Sequence, residues 1–144
     1  MPRLNREELQ KQLKADMAAW AELKAKWMQA DHLDEDGYPT ETALKLIEEW
    51  HWSDCKGLLE FIHSIWHLRS WGWTEADAST LSRESEDYDE KGGKLLFAST
   101  GGWSGNESLI SAFKSNDMAW HLCWIQSRRG GHYIFAPHEF KDDE

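Results

Sequence analysis

The stretch from Leu95 to Phe135 constrains the fold of this chain more than any other part of the sequence. LLFAS (Leu95 to Ser99) has the length and composition of a strand, and so does HYIFA (His132 to Ala136). Between them lie two apolar segments of helical periodicity, each about ten residues or roughly 15 Å long. A glycine-rich turn precedes the first segment, and an arginine-glycine turn follows the second. The sequence therefore predicts a β-α-α-β unit at 94–137.

The two predicted helices of this unit form an antiparallel pair. Asn106 is the expected N-cap of the first helix, and Asn116 with Asp117 separates it from the second. The second helix, Met118 to Ile125, is apolar nearly all round and stops at Arg128, which predicts a buried central helix. A short break between antiparallel helices brings the start of the first beside the end of the second. We therefore expect the turn TGGWSGN to lie next to SRRGG.

These two turns are the candidate ligand site. Glycine N–H groups and guanidinium groups can bind an anion or a carboxylate, and aromatic rings can stack beside it. The alternative is that the glycines only shape the turns and the arginines only cap a helix. The spacing matches neither a Walker loop nor the G-x-G-x-x-G dinucleotide motif. The predicted ligand-binding residues are Gly101, Gly102, Trp103, Ser104, Asn106, Arg128, Arg129 and Tyr133.

Four helices are predicted before the β-α-α-β unit. The first follows Asn5 and runs from about Arg6 to Gln29, with apolar residues at every third or fourth position. The others are expected at Thr40–Trp50, from Asp54 to near Ser70, and from Thr74 to about Ser82. The first helix either packs on the core or pairs with a partner chain.

Charge is distributed unevenly along the chain. The net charge is −10: residues 1–30 carry six bases and four acids, residues 31–93 five bases and sixteen acids, and residues 94–144 five bases and six acids. The acidic segment 83–93 is predicted to be a loop, in which Asp87, Asp89 and Glu90 are candidate contacts for a basic partner. The alternative is that this charge only keeps the protein in solution. Such acidity argues against direct binding to nucleic acid or to an anionic membrane.

Three patterns resemble metal or catalytic motifs, and each is incomplete. DHLDEDGYPTE resembles the start of a calcium loop, but its first and closing ligand positions hold His32 and Ala43. His63 and His67 are one helical turn apart and lack an acidic ligand or a cysteine pair. Ser104 lacks the closing glycine of G-x-S-x-G. We therefore predict no metal, no cofactor and no catalytic residue, and a binding protein rather than an enzyme.

Cysteine content and hydropathy indicate a cytoplasmic protein. Cys55 and Cys123 do not make a disulfide framework, which fits a reducing compartment. No apolar run approaches the length of a membrane span, and MPRLNREELQ lacks the apolar region of a signal peptide. Ten tryptophans in 144 residues predict a large aromatic core or an aromatic binding face.

Four segments resemble a family of small uncharacterised proteins from bacteriophages and prophages. They are DEDGYPTETAL, SIWHLRSWGWTEAD, STGGWSGNESLISA and MAWHLCWIQSRRGGHYIF, and the resemblance runs from about Asp34 to Phe135. The motif pair GGWSGNE and SRRGGHY is its most specific part. The resemblance implies an accessory phage protein that acts in the host bacterial cytoplasm, and it carries no catalytic residue over to this chain.

Together these features predict a single, mostly helical α+β domain with a small two-stranded antiparallel sheet. It comprises an N-terminal amphipathic helix (1–30), an acidic helical region (31–93), the β-α-α-β unit (94–137) and a flexible tail (138–144). The first functional hypothesis is non-enzymatic binding and modulation of a host protein, such as a defence or nucleic-acid-handling enzyme, through the acidic surface. The alternative is a protein, or an enzyme, that binds a small anionic or nucleotide-like ligand between the two turns.

Overall fold

The computed structural model describes residues 5–67, 72–77 and 94–137. Within these ranges the chain forms five helices and an antiparallel sheet of four strands, which confirms the mostly helical α+β class. The predicted loop at 83–93 and the predicted tail at 138–144 lie outside the described residues. The elements are α1 (Arg6–Trp27), α2 (Glu41–Glu49), α3 (Cys55–Ser64), β1 (Trp73–Asp77), β2 (Lys94–Ser99), α4 (Ser104–Ser115), α5 (Asp117–Cys123), β3 (Trp124–Arg128) and β4 (His132–Phe135).

Side-chain caps begin the first three helices. Asn5 and Glu8 form a reciprocal capping box before α1, with Asn5 Oδ1 accepting from the Glu8 N–H at 2.9 Å. Thr40 and Asp54 each accept a backbone N–H from the following turn at 3.2 Å. These caps confirm the predicted starts of α1, α2 and α3, whereas α3 ends at Ser64, earlier than expected.

The sheet has four strands in the order β1-β2-β4-β3 instead of the predicted two. The predicted pairing of β2 with β4 is confirmed, since Leu96 lies opposite Phe135 and Ser99 lies opposite His132. β1 pairs with the outer side of β2, and β3 forms a bulged antiparallel pair with β4. A two-stranded ribbon is marginal alone, and the two added strands give the helices a wider surface to cover.

Two predicted helical segments are wrong because they pair as strands. Thr74 lies in β1 opposite Phe97, so the helix predicted from this residue is wrong over residues 74–77, and its remainder lies outside the described residues. The helix predicted at Met118–Ile125 ends at Cys123, and the chain continues directly as β3. In both segments the pairing with a neighbouring strand outweighs the local helical pattern.

The two faces of the sheet bury different clusters, as the alternation of side chains along a strand requires. Leu96, Ala98 and Phe135 join the main core, which they share with the helices. Leu95 and Ile134 form a second, smaller cluster. The main core also contains the fully buried side chains of Leu46, Ile47, Leu58, Leu59, Ile62, Leu109 and Phe113.

Helix α1 contacts the core through its C-terminal half. Trp20 is its buried residue, and the Trp20 and Trp50 ring centroids are 5.1 Å apart. Lys24 Nζ lies 4.6 Å from the centroid of Trp50 and 3.6 Å from Asp54 Oδ2. In contrast, Leu9 in the N-terminal half is 54 % exposed. None of the described helices has the length and apolar character needed to cross a membrane.

Candidate functional site

The glycine-rich turn after β2 and the arginine-glycine turn before β4 lie side by side. The Thr100 N–H donates to Gly131 O at 3.0 Å and extends the ladder between β2 and β4 by one bond. A Cβ on Gly131, which has φ +79°, would overlap the Thr100 Oγ1 atom, so the contact requires glycine. The sequence predicts this proximity from an antiparallel helix pair, whereas strand pairing produces it.

Trp103 does not face the arginine-glycine turn. Its ring stacks between Tyr38, at a centroid distance of 4.7 Å, and His67, at 4.5 Å. Ser104, which follows it, donates its hydroxyl to the Tyr38 hydroxyl at 3.5 Å. Both side chains therefore attach the loop before α2 to the start of α4.

The Asn106 side chain is buried and forms hydrogen bonds with two backbone segments, so Asn106 is not the predicted N-cap. Helix α4 already begins at Ser104, with Trp103 in the cap position and no side-chain cap bond. The Asn106 side chain accepts from the His67 N–H at 2.9 Å and donates to His67 O at 3.0 Å. It also donates to Thr100 O at 3.3 Å. Asn106 thereby fixes the glycine-rich turn to the backbone that follows α3.

The remaining predicted ligand-binding residues are divided between two places. Gly101, Gly102 and Arg129 are exposed at the two turns, and Arg128 Nε donates to the Gln126 side chain at 2.6 Å. Tyr133 points to the main core side of the sheet, where Lys114 Nζ lies 5.4 Å from its ring centroid. The structure thus brings the turns together but does not gather all eight predicted residues at one point. Ligand binding at the turns stays a prediction.

An open groove lies between α2 and α4. Its volume is about 460 Å³. Leu44 and Ala112 supply its apolar floor, and Glu48 and Glu107 place carboxylates along it. We call this surface the acidic groove, and its lining consists of Leu44, Glu48, Ser104, Glu107, Ser108, Ser111, Ala112 and Ser115.

The hydroxyl groups of the acidic groove follow from the helical spacing of the serines on α4. Residues 104, 108, 111 and 115 recur every three or four positions and so lie on one face of the helix. Ser108 and Ser115 donate to the carbonyls of the preceding turn at 3.0 and 3.1 Å. Their hydroxyl oxygens remain able to accept a hydrogen bond from a bound molecule. The helical spacing of these serines can be read from the sequence. The position of α2 opposite them cannot.

Residues 31–60 carry eight exposed acids, and Glu48 of the acidic groove is one of them. Within residues 31–60, Asp54 is the acid that forms an ion pair with a described basic side chain, namely Lys24. The other acids of this range are exposed. The predicted contacts Asp87, Asp89 and Glu90 lie outside the described residues. The exposed acids of this range are Asp31, Asp34, Glu35, Asp36, Glu41, Glu48, Glu49 and Glu60.

The histidines considered for zinc binding contact different aromatic rings. His63 stacks on Trp73 at a centroid distance of 5.0 Å, and His67 stacks on Trp103. Among the described residues there is no group of three or more His, Cys, Asp or Glu side chains that could hold a metal ion. Asp34, in the calcium-like segment, accepts the N–H groups of Asp36 and Tyr38 at 2.9 Å and so shapes the turn before α2.

The pKa of His51 is displaced from its usual value. Burial lowers the pKa of its imidazole below the usual 6.5, and the carboxylates of Asp16 and Asp54 oppose this effect. The Ser53 N–H donates to His51 Nδ1 at 3.1 Å, which requires the neutral ring. His51 therefore acts in the turn between α2 and α3 and lies outside both candidate sites.

No protein-family model, curated protein or solved structure matches this chain.

The acidic groove presents hydrogen-bond acceptors, namely carboxylates and hydroxyl oxygens, beside apolar side chains. Such a surface suits lysine or arginine side chains, whose aliphatic stems cover the floor while their charged ends meet the carboxylates.

Proposed function

We propose that this chain is a non-enzymatic protein that binds and modulates a host protein through its acidic surface. The observation that carries the proposal is the acidic groove, where Glu48 and Glu107 lie over the apolar floor made by Leu44 and Ala112. The excess of acids in residues 31–93 supports it, because a field of one sign steers a basic partner toward the surface.

The proposed partner presents a basic, partly helical or extended segment to the groove. Lysine and arginine stems would cover Leu44 and Ala112, and the serine hydroxyls of α4 would accept the remaining N–H groups. The resemblance to small phage proteins supports a bacterial host and a cytoplasmic location. A defence enzyme or a nucleic-acid-handling enzyme fits this proposal, because proteins that bind nucleic acid carry basic surfaces.

Pull-down from bacterial lysate at two salt concentrations tests this proposal. The groove variant is Glu48→Gln with Glu107→Gln, and the matched control, Glu7→Gln with Glu22→Gln, removes the same charge from the exposed surface of α1. We expect wild type and control to retain a stoichiometric partner that high salt releases. Each exposed ion pair contributes about 0.2–1 kcal/mol, so the groove variant should bind roughly 2- to 30-fold more weakly.

A triple variant separates the acidic groove from the acidic segment 83–93. Asp87→Asn, Asp89→Asn and Glu90→Gln together remove the predicted contacts in that segment. If this variant loses the partner and the groove variant keeps it, the partner binds the acidic segment and the groove assignment is wrong. Equal binding by all variants at both salt concentrations would reject the acidic surface altogether.

The adjacent turns support a second candidate function, binding of a small anion or nucleotide. Gly101, Gly102 and Arg129 are exposed where the turns meet, and this arrangement favours a phosphate or carboxylate. A ligand at 100 times its Kd raises the stability of the folded state by about 2.7 kcal/mol. We expect nucleotides or phosphate to raise the Tm of wild type and of Lys45→Ala, but not of Arg129→Ala. No shift with any of these anions would reject this candidate.

A further inference from the structure

Three polar residues on three neighbouring strands lie in one row across the sheet. Ser99 of β2 lies directly opposite His132 of β4, and His132 lies directly opposite Arg128 of β3. Residues directly opposite each other in an antiparallel pair share a face of the sheet. The row lies on the face of the second, smaller cluster, because Leu95 and Ile134 occupy alternate positions along the same two strands.

The Ser99 hydroxyl contacts the His132 imidazole directly. Ser99 Oγ lies 2.6 Å from His132 Nδ1, so the hydroxyl donates to this nitrogen when the ring carries its proton on Nε2. The ring also lies next to Gly130, since a Cβ built on this glycine would be 3.4 Å from the Cδ2 and Nε2 atoms. Ser99 is half-buried and His132 is exposed, so a small molecule in solvent can reach the pair.

This contact has the geometry of a nucleophile and its general base. A base takes a proton from a hydroxyl when the two heavy atoms are within hydrogen-bond reach, and the pair of Ser99 and His132 meets this condition. Arg128 adds a permanent positive charge on the other side of His132 in the row. The row therefore suits an electrophile that carries negative charge next to its reactive carbon.

We propose that Ser99 is an acyl-acceptor site, at which an acyl phosphate transfers its acyl group to this chain. The choice of an anionic donor rests on the second candidate function, anion binding at the adjacent turns. Ser99 Oγ attacks the carbonyl carbon and forms an ester bond, while His132 Nδ1 takes the hydroxyl proton. The bond between the carbonyl carbon and the phosphate oxygen breaks, and inorganic phosphate leaves with the electron pair and the proton from His132. Each chain accepts one acyl group, so the transfer modifies the protein and does not make it an enzyme.

The test compares two acetyl donors on the folded, full-length chain. Acetyl phosphate carries the anion, whereas p-nitrophenyl acetate is a neutral ester. We expect both donors to add about 42 Da, the mass of one acetyl group, and peptide mapping to place it on Ser99. Hydroxylamine should remove this ester, whereas it leaves acetyl amides on lysine intact. These measurements use the wild-type chain and do not depend on how well a variant folds.

Variants test the roles of the three side chains. Ser99→Ala should lose the ester, and His132→Gln should form it about 100-fold more slowly. Arg128→Ala should slow the reaction with acetyl phosphate roughly 2- to 5-fold more than the reaction with the neutral ester. Ser53→Ala is the matched control, because Ser53 Oγ also lies 2.6 Å from a histidine nitrogen, His51 Nδ1, and it should label like wild type.

Three outcomes overturn the proposal, and they separate it from the second candidate function. No ester on Ser99 with either donor rejects the nucleophile, and the Tm shifts with anions then decide the second candidate function alone. An ester formed only with p-nitrophenyl acetate rejects the acyl phosphate as the donor. Labelling of His132→Gln at the wild-type rate rejects His132 as the base.

Discussion

Replacement of Asn106 by aspartate tests whether this side chain links two backbone segments in the core, caps a helix or binds a ligand. Asparagine and aspartate serve almost equally well as N-caps, so a capping role predicts little loss of stability on Asn106→Asp. In the structure, however, the Asn106 amide donates to His67 O at 3.0 Å and to Thr100 O at 3.3 Å. An aspartate would point a carboxylate oxygen at both carbonyls while keeping the bond from the His67 N–H.

The magnitude follows from the number of buried groups that lose a partner. Asn106→Ala leaves the His67 N–H, His67 O and Thr100 O without their bonds, at about 1 kcal/mol each and so about 3 kcal/mol in total. Asn106→Asp keeps one of these bonds but adds unfavourable contacts between oxygens, and it should cost at least as much. For a domain of this size, a loss of about 3 kcal/mol lowers Tm by roughly 10 °C.

Urea unfolding measured by tryptophan fluorescence gives the free energy of unfolding for each variant. We expect a lower midpoint with an unchanged m-value for both Asn106 variants, since each change weakens the folded state without altering the area exposed on unfolding. Ser108→Ala is the matched control on the exposed face of α4 and should stay within about 0.5 kcal/mol of wild type. If the free energy of unfolding of Asn106→Asp also stays within about 1 kcal/mol of wild type, the Asn106 amide does not link the two backbone segments as proposed.

Three further predictions concern the turns, the pH dependence and α1. In urea unfolding, Gly131→Ala should cost about 2–3 kcal/mol, whereas Gly102→Ala should cost about 1 kcal/mol, because Gly102 has a similar positive φ with open space around it. Because burial lowers the pKa of His51, its contribution to stability is complete above pH 6.5 and is lost as pH falls through the lowered pKa. His51→Asn should therefore flatten the decline in Tm over that range, and an identical decline would contradict this role. By thermal unfolding, Trp20→Ala should cost about 3 kcal/mol and Leu9→Ala less than about 0.5 kcal/mol; equal losses would show that the outer half of α1 is packed.

Local chemistry made the helix starts predictable from the sequence. The cap residues Asn5, Thr40 and Asp54 act within one turn of the backbone groups that they satisfy, so their pattern is complete in a short segment. The pairing of β2 with β4 was also predictable, because both segments have strand character on either side of a helical region. The helix starts depend on residues close in sequence, and the β2–β4 pairing depends on two segments that each have strand composition.

The strand identity of β1 and β3 depends instead on distant neighbours. Thr74 begins a pattern that favours a helix, and its strand conformation is stabilised by the ladder with β2. Likewise, the apolar run after Met118 is compatible with a helix or a buried strand, and pairing with β4 decides where the helix ends.

The division of roles among the predicted site residues favours the acidic groove as the recognition surface. Asn106 has its side-chain groups bonded inside the fold, and the Trp103 ring stacks on Tyr38 and His67, so neither binds a ligand without leaving its present partners. Glu48 and Glu107 are exposed and line the acidic groove, and Glu107 also lies in the first turn of α4, where the helix dipole favours a carboxylate. Glu48 lies in the last turn of α2, where the helix dipole does not favour a carboxylate. Under the proposed function, a basic molecule contacts both carboxylates.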